Sequence, residues 1–269
     1  MRHFNKKSIQ IAIAIGIGAL VAQGCTVISK ISSGGGMIAQ GPQTKEDRKV
    51  GDFTHVQAGD AFEVEVTLGK DPSVVIDAPK DLLPHLKATV DHGVLDISSD
   101  TNYSISNNGQ VKVYVTTQTL EGASISGAGK MIIKGTIKSD NFQAQTSGAA
   151  HIEFSGEVGS LQLESTGSSS ADIAQMKAKT SKITASGASR VKINGTTDEA
   201  NIESSGSSNV EGDFSADRAD VQTSGAAHAR LSVSKSLKAG ASGSSSVTYS
   251  GSVTDVQKET SGVGSVEKG

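Results

Sequence analysis

Beyond residue 122 the chain alternates apolar and polar positions in short runs, as in Val191-Lys192-Ile193, Ala200-Asn201-Ile202-Glu203 and Leu161-Gln162-Leu163. A period of two is the signature of a strand with one buried face. No run there repeats at helical spacing between capping residues. Between the runs one phrase returns: SGAGK at Ser126, SGAAH at Ser147, TGSSS at Thr166, SGASR at Ser186, SGSSN at Ser205, SGAAH at Ser224, SGSSS at Ser242 and SGVGS at Ser261. Its glycines, Gly127, Gly148, Gly167, Gly187, Gly206, Gly225, Gly243 and Gly262, are spaced 21, 19, 20, 19, 19, 18 and 19 residues apart. Each unit has room for two or three short strands and tight corners. That is too little to bury an apolar face alone, so the units must stack.

The pattern therefore predicts an all-β chain, a single-stranded parallel β-helix (β-solenoid) with coils of about 19 residues over 123–269. Coils ~4.8 Å apart would make eight repeats into a rod of roughly 40 Å. The glycine suits a corner that needs positive φ, and the Ser or Thr before it offers a hydroxyl for local backbone bonds. The regular alternation between the phrases argues against a flexible Gly/Ser linker. Residues 46–122 also alternate, as in Phe62-Glu63-Val64-Glu65-Val66 and Val111-Lys112-Val113-Tyr114-Val115, but lack the phrase. A first coil left bare would expose an unpaired edge, so this region is expected to hold larger opening coils and an N-terminal β cap. The far end finishes with Val266-Glu267-Lys268-Gly269, whose charges oppose end-to-end pairing. A buried oligomeric contact there stays open, and the sequence does not set the oligomeric state.

The N-terminus changes the picture from fold to address. Arg2, Lys6 and Lys7 precede an apolar run from Ile9 to Ala22, and Gly24 precedes Cys25, the sole cysteine. This is the layout of a secretory signal peptide over 1–24; the run is shorter than the ~20 residues a membrane-spanning helix needs. Val21-Ala22-Gln23-Gly24-Cys25 resembles a lipobox, which makes Cys25 the expected lipidation site and 25–45 a lipidated tether. Gln23 and the missing Leu depart from the usual motif. An ordinary signal peptide with an incidental cysteine is the competing reading, disfavoured because a lone thiol is a liability in an oxidising compartment. Thr26, in place of an Asp, favours the outer membrane. Cleavage removes three basic residues and no acid, which leaves 22 basic against 28 acidic residues and a net charge of −6. That balance speaks against nucleic acid or anionic headgroups as partners, so acyl chains would hold the protein to the membrane.

Candidate chemistry is sparse. His151 and His228 fill the same slot four coils apart, roughly 19 Å along the axis and too far to share a metal. Other coils put Lys130, Ser170, Arg190 and Asn209 there, which reads as a solvated column. His85 and His92 flank a strand and could meet, but nothing else there reads as a metal ligand set. Asp172 and Glu211 are isolated on different coils, and no Gly-x-Ser-x-Gly elbow or glycine-rich calcium repeat with periodic Asp occurs. No catalytic, cofactor-binding or metal residues are assigned, and no cofactor is expected.

The order of several pieces resembles the autotransporter adhesin head domain family known as the GIN domain. The carriers are Arg48-Lys49-Val50-Gly51-Asp52-Phe53, Ala58-Gly59-Asp60-Ala61-Phe62, Asp81-Leu82-Leu83, Gly93-Val94-Leu95-Asp96-Ile97 and the switch at Leu120 into Ser126-Gly127-Ala128-Gly129. The resemblance spans roughly 48–265. It implies a right-handed parallel β-helix and a secreted or lipid-anchored envelope protein, and it brings no catalytic residue or ligand. With no translocator barrel segment read at the C-terminus, the chain is not expected to be an autotransporter by itself. The expected role is a binding, adhesion or structural module of the cell envelope, its partners glycans or another envelope protein. A carbohydrate-active β-helix enzyme (polysaccharide lyase or hydrolase) and an envelope regulatory lipoprotein are the alternatives.

Overall fold

The computed structural model describes residues 37–105 and 110–269; the expected signal peptide and Cys25 lie outside them. No α-helix occurs among the described residues, only a single 3-10 turn at Leu83–His85. The first half contains β1 (Met37–Ala39), β2 (Gln43–Arg48), β3 (His55–Ala58), β4 (Glu63–Leu68), β5 (Ser73–Pro79), β6 (Leu86–Asp91), β7 (Val94–Ser99), β8 (Tyr103–Ile105), β9 (Lys112–Thr117) and β10 (Gly122–Ile125). The long coil strands follow: β11 (Lys130–Thr146), β12 (His151–Ser165), β13 (Ser170–Ala185) and β14 (Arg190–Ser204). The remainder are β15 (Asn209–Glu211), β16 (Phe214–Gly225), β17 (His228–Gly243), β18 (Ser246–Ser250), β19 (Asp255–Gly262) and β20 (Ser265–Lys268).

From β10 onward every pairing is parallel and joins one turn of chain to the next, the β-solenoid that the repeat predicts. Apolar residues form continuous inward columns. One runs through Val64, Met131, Ile152, Ala171, Val191, Val210, Ala229 and Val247, all buried. Phe142 and Phe154 meet edge to face inside, with centroids 5.2 Å apart. Where two successive residues are exposed, at 179–180 and 198–199, the alternation slips by one and the strand turns a corner. The longer repeat intervals are absorbed as bulges at one other corner, between Ile132 and Thr136 and between Ile173 and Met176.

The eight repeat glycines stand one above another with φ between 71° and 79°. At Gly187 a Cβ would lie 2.6 Å from the carbonyl oxygen of Gly167, one coil below. That oxygen accepts the amide of Ala188 at 2.7 Å, and the same bond recurs from coil to coil. Only a residue with no Cβ combines the left-handed turn with this approach. One coil lower the same column is completed by Asp60, at φ 59°, whose carbonyl accepts the Ala128 amide. Asp tolerates the left-handed region better than most residues.

Serines fill the inside of the corner. Ser169, Ser208 and Ser245 are buried and each donates to the carbonyl three residues back, at 2.7, 2.8 and 2.9 Å. Each also meets a second hydroxyl: Ser165, Ser204 and Thr223 respectively. Ser189, whose neighbour at the equivalent place is Ala185, has a buried hydroxyl with no partner.

The opening region does not wind in sequence order. The β3–β4 coil lies inside, paired on one side with β10 and β11 and on the other with β7 and β9, which follow it in the chain. The outermost edges are then closed by antiparallel strands, β6 on β7 and β5 on β9, with β2 outside β5. The link between β5 and β6 carries Leu82 and Leu83, which with Leu86 are buried at the end of the core. The Asp81 carboxylate accepts the amides of Gln40 and Gly41 at 2.9 and 3.0 Å, which ties β1 and β2 to this plug. Residues 37–39 and 43–45, within the segment read as a tether, are thus strand, because β8 and β5 offer them edges to pair with.

Candidate functional site

The outer faces of the solenoid bear side chains in ladders one coil apart, and one stretch of them is concave. At the first inward position after the 179–180 corner, the column runs Phe142, Leu161, Ser181, Ala200, Ala219, Leu237. The three small residues floor a cleft of about 370 Å³. Lys182, Glu199, Asn201, Arg218 and Asp220 stand around it. A second hollow of about 330 Å³ lies beyond the same corner and is rich in hydroxyls, with Asp198 and Asp217 among its lining residues.

Several of the charges around the two hollows are paired. The Arg218 guanidinium donates to one Glu199 oxygen through two nitrogens, at 2.8 and 3.2 Å. The bonded Glu199 carboxylate raises the Arg218 pKa further above its ordinary value. The Asp217 carboxylate accepts from Lys235 and Ser234, both at 2.7 Å, and these bonds hold its pKa below the usual carboxylate value. A general acid for glycosidic cleavage needs the opposite shift. What this surface offers is a dense set of fixed donors and acceptors, suited to a ligand with many hydroxyls.

The residues weighed from the sequence fall elsewhere. His151 is hydrogen-bonded through Nδ1 to Ser170 of the next coil at 2.8 Å, and its Nε2 lies 3.7 Å from Asp172. His228 repeats the bond with Ser246 at 2.7 Å. His85 faces Asp100 and His92 faces Asp91, so separate carboxylates hold the two. Among the described residues no three His, Cys, Asp or Glu converge as metal ligands would. Sequence reasoning missed the cleft. Its signal was there: Ser181, Ala200 and Ala219 each stand six residues before a repeat glycine, where neighbouring coils carry Phe142, Leu161 and Leu237.

Solved structures share the architecture. A putative adhesin from Parabacteroides merdae ATCC 43184 superposes with a TM-score of 0.81 at 18% identity, covering 87% of this chain and 98% of its own. A putative adhesin from Parabacteroides distasonis ATCC 8503 gives 0.81 at 19% identity, over 87% of this chain and 99% of its own. A putative lipid binding protein from the same organism gives 0.79 at 19% identity over the same shares. At such identity the likeness speaks for the fold alone. Among curated proteins none matches the chain. The family model described as "putative auto-transporter adhesin, head GIN domain" matches residues 52–174 and 145–252, most of the chain. With β3 to β18 and seven of the eight repeat glycines lying inside those matches, the chain belongs to the auto-transporter adhesin head GIN domain family.

Proposed function

We propose that this chain is an exported, non-catalytic binding module of the cell envelope, anchored in the outer membrane through lipid on Cys25 after removal of 1–24, and that its solenoid engages a polyhydroxylated ligand, a surface glycan. The family's adhesin description and the three-part N-terminus support export and adhesion. The observation that carries the ligand class is the cleft floored by Ser181, Ala200 and Ala219, where Lys182, Asn201 and the bonded Arg218–Glu199 pair stand beside hydroxyls. Aromatic stacking platforms are absent from that lining, so binding rests on many modest hydrogen bonds rather than on stacking.

The test is an array of bacterial surface polysaccharides probed with the full chain and with the Asn201→Ala/Arg218→Ala variant. Saturable binding that weakens roughly tenfold in the variant is expected, about two hydrogen bonds' worth. Binding to no glycan, or equal binding by the variant, refutes the cleft as the site. Labelled palmitate incorporated by the wild type and lost in Cys25→Ser tests the anchor separately.

A further inference from the structure

We infer that Lys258 blocks the last coil from accepting a second copy of the chain. Four residues before each repeat glycine, every earlier coil places an inward apolar residue; Ile183, Ile202, Val221 and Ala239 are examples, all buried. In the last coil the residue paired with Ala239 is Lys258. Its ammonium donates to the Val266 carbonyl of β20 at 2.9 Å and sits 4.9 Å from the centroid of the Tyr249 ring. The side chain thus spans from β19 to β20 across the end of the core.

Beyond β19 and β20 no strand of the described residues pairs, so both present free backbone donors and acceptors. Two such ends meeting about a two-fold axis would pair β19 with β19, the usual closed arrangement. Directly opposed residues then share a face. The inward set of β19 is Val256, Lys258 and Thr260, with no acid among them. Joining the ends would strip two ammoniums of water in one shared core with no counter-charge, which is strongly unfavourable. An inward-pointing charge on an edge is a recognised guard against strand addition.

The experiment is sedimentation velocity over a concentration series on the full chain in non-ionic detergent, comparing wild type, Lys258→Arg, Lys258→Met and Lys258→Val. Wild type and Lys258→Arg are expected to sediment at the monomer mass throughout, while Lys258→Met and Lys258→Val move to the dimer mass as concentration rises. Far-UV circular dichroism confirms that each variant keeps its β signal. Apolar variants that stay monomeric and folded, or a wild type that is already an end-to-end dimer, overturn the inference. So does loss of the β signal in both apolar variants, since Lys258 would then serve the folding of its own coil.

Discussion

The two ends of the solenoid solve one problem in opposite ways. At the opening end the core is stoppered by Leu82, Leu83 and Leu86, and antiparallel β5 and β6 occupy the edges of β9 and β7. At the closing end no strand among the described residues is laid across; Lys258 reaches over the last apolar layer and leaves the strand edges unpaired. The first solution spends many residues and adds burial. The second uses one side chain and adds almost none, so the final coil is held chiefly by β17 and β18. Between the ends each coil depends on its neighbours and on the glycine spine, as in other solenoids.

Several substitutions would break or sharpen that contrast. The largest effect is expected mid-rod: Gly187→Val meets both the left-handed φ and the Gly167 carbonyl, and should lose about 3 kcal/mol or more in denaturant unfolding. Next comes Leu82→Ala, which empties part of the stopper and should cost roughly 2–5 kcal/mol. Hydrogen exchange should show the loss first in β5, β6 and β9 while coils near Gly187 stay protected. A stability loss shared evenly along the rod would contradict the picture of a separable cap. Smaller is Ala185→Ser, which gives the buried Ser189 hydroxyl a partner as Ser204 does for Ser208. A gain of about 1 kcal/mol is expected, read as a raised melting temperature. Asp60→Gly should match or fall just below that gain, because it relieves a left-handed non-glycine at the foot of the column.

The smallest effect concerns pH. Backbone amides, that of Gln40 foremost, hold the Asp81 carboxyl below 3.8, and His85 with Lys87 does the same for Asp100. A group with a lowered folded pKa lends stability that is complete above its ordinary value and lost as pH falls through the folded one. Both groups belong to the cap, and Asp217 is lowered likewise in the coils, so below about pH 4 exchange should rise more in the cap than in the coils. Asp81→Asn/Asp100→Asn should remove that difference.

The solenoid was legible because its cause is local and repeated: alternation gives strands, and Gly187 with its equivalents gives corners. The opening region was only partly legible. Alternation in Val94–Ser99 and Lys112–Thr117 marks strands, but nothing local says that they lie outside β3 and β4 rather than beyond them in sequence order. Asp60 was missed because its neighbour Gly59 looks like the corner residue and is one position off. Lys258 was readable in principle, since four residues before Gly262 the apolar register fails for the first time. The cleft needed a column compared across coils, which a reading along the chain does not make.

The placement of the β3–β4 coil between β7–β9 and β10–β11 bears on how the chain reaches its final form. A polypeptide emerging N-terminus first has made everything the cap requires once Thr117 is out. The β3–β4 edge is then the one ready template, and each later turn copies its register from the turn just laid down. Assembly would run in one direction from a finished seed, coil after coil on the register already set.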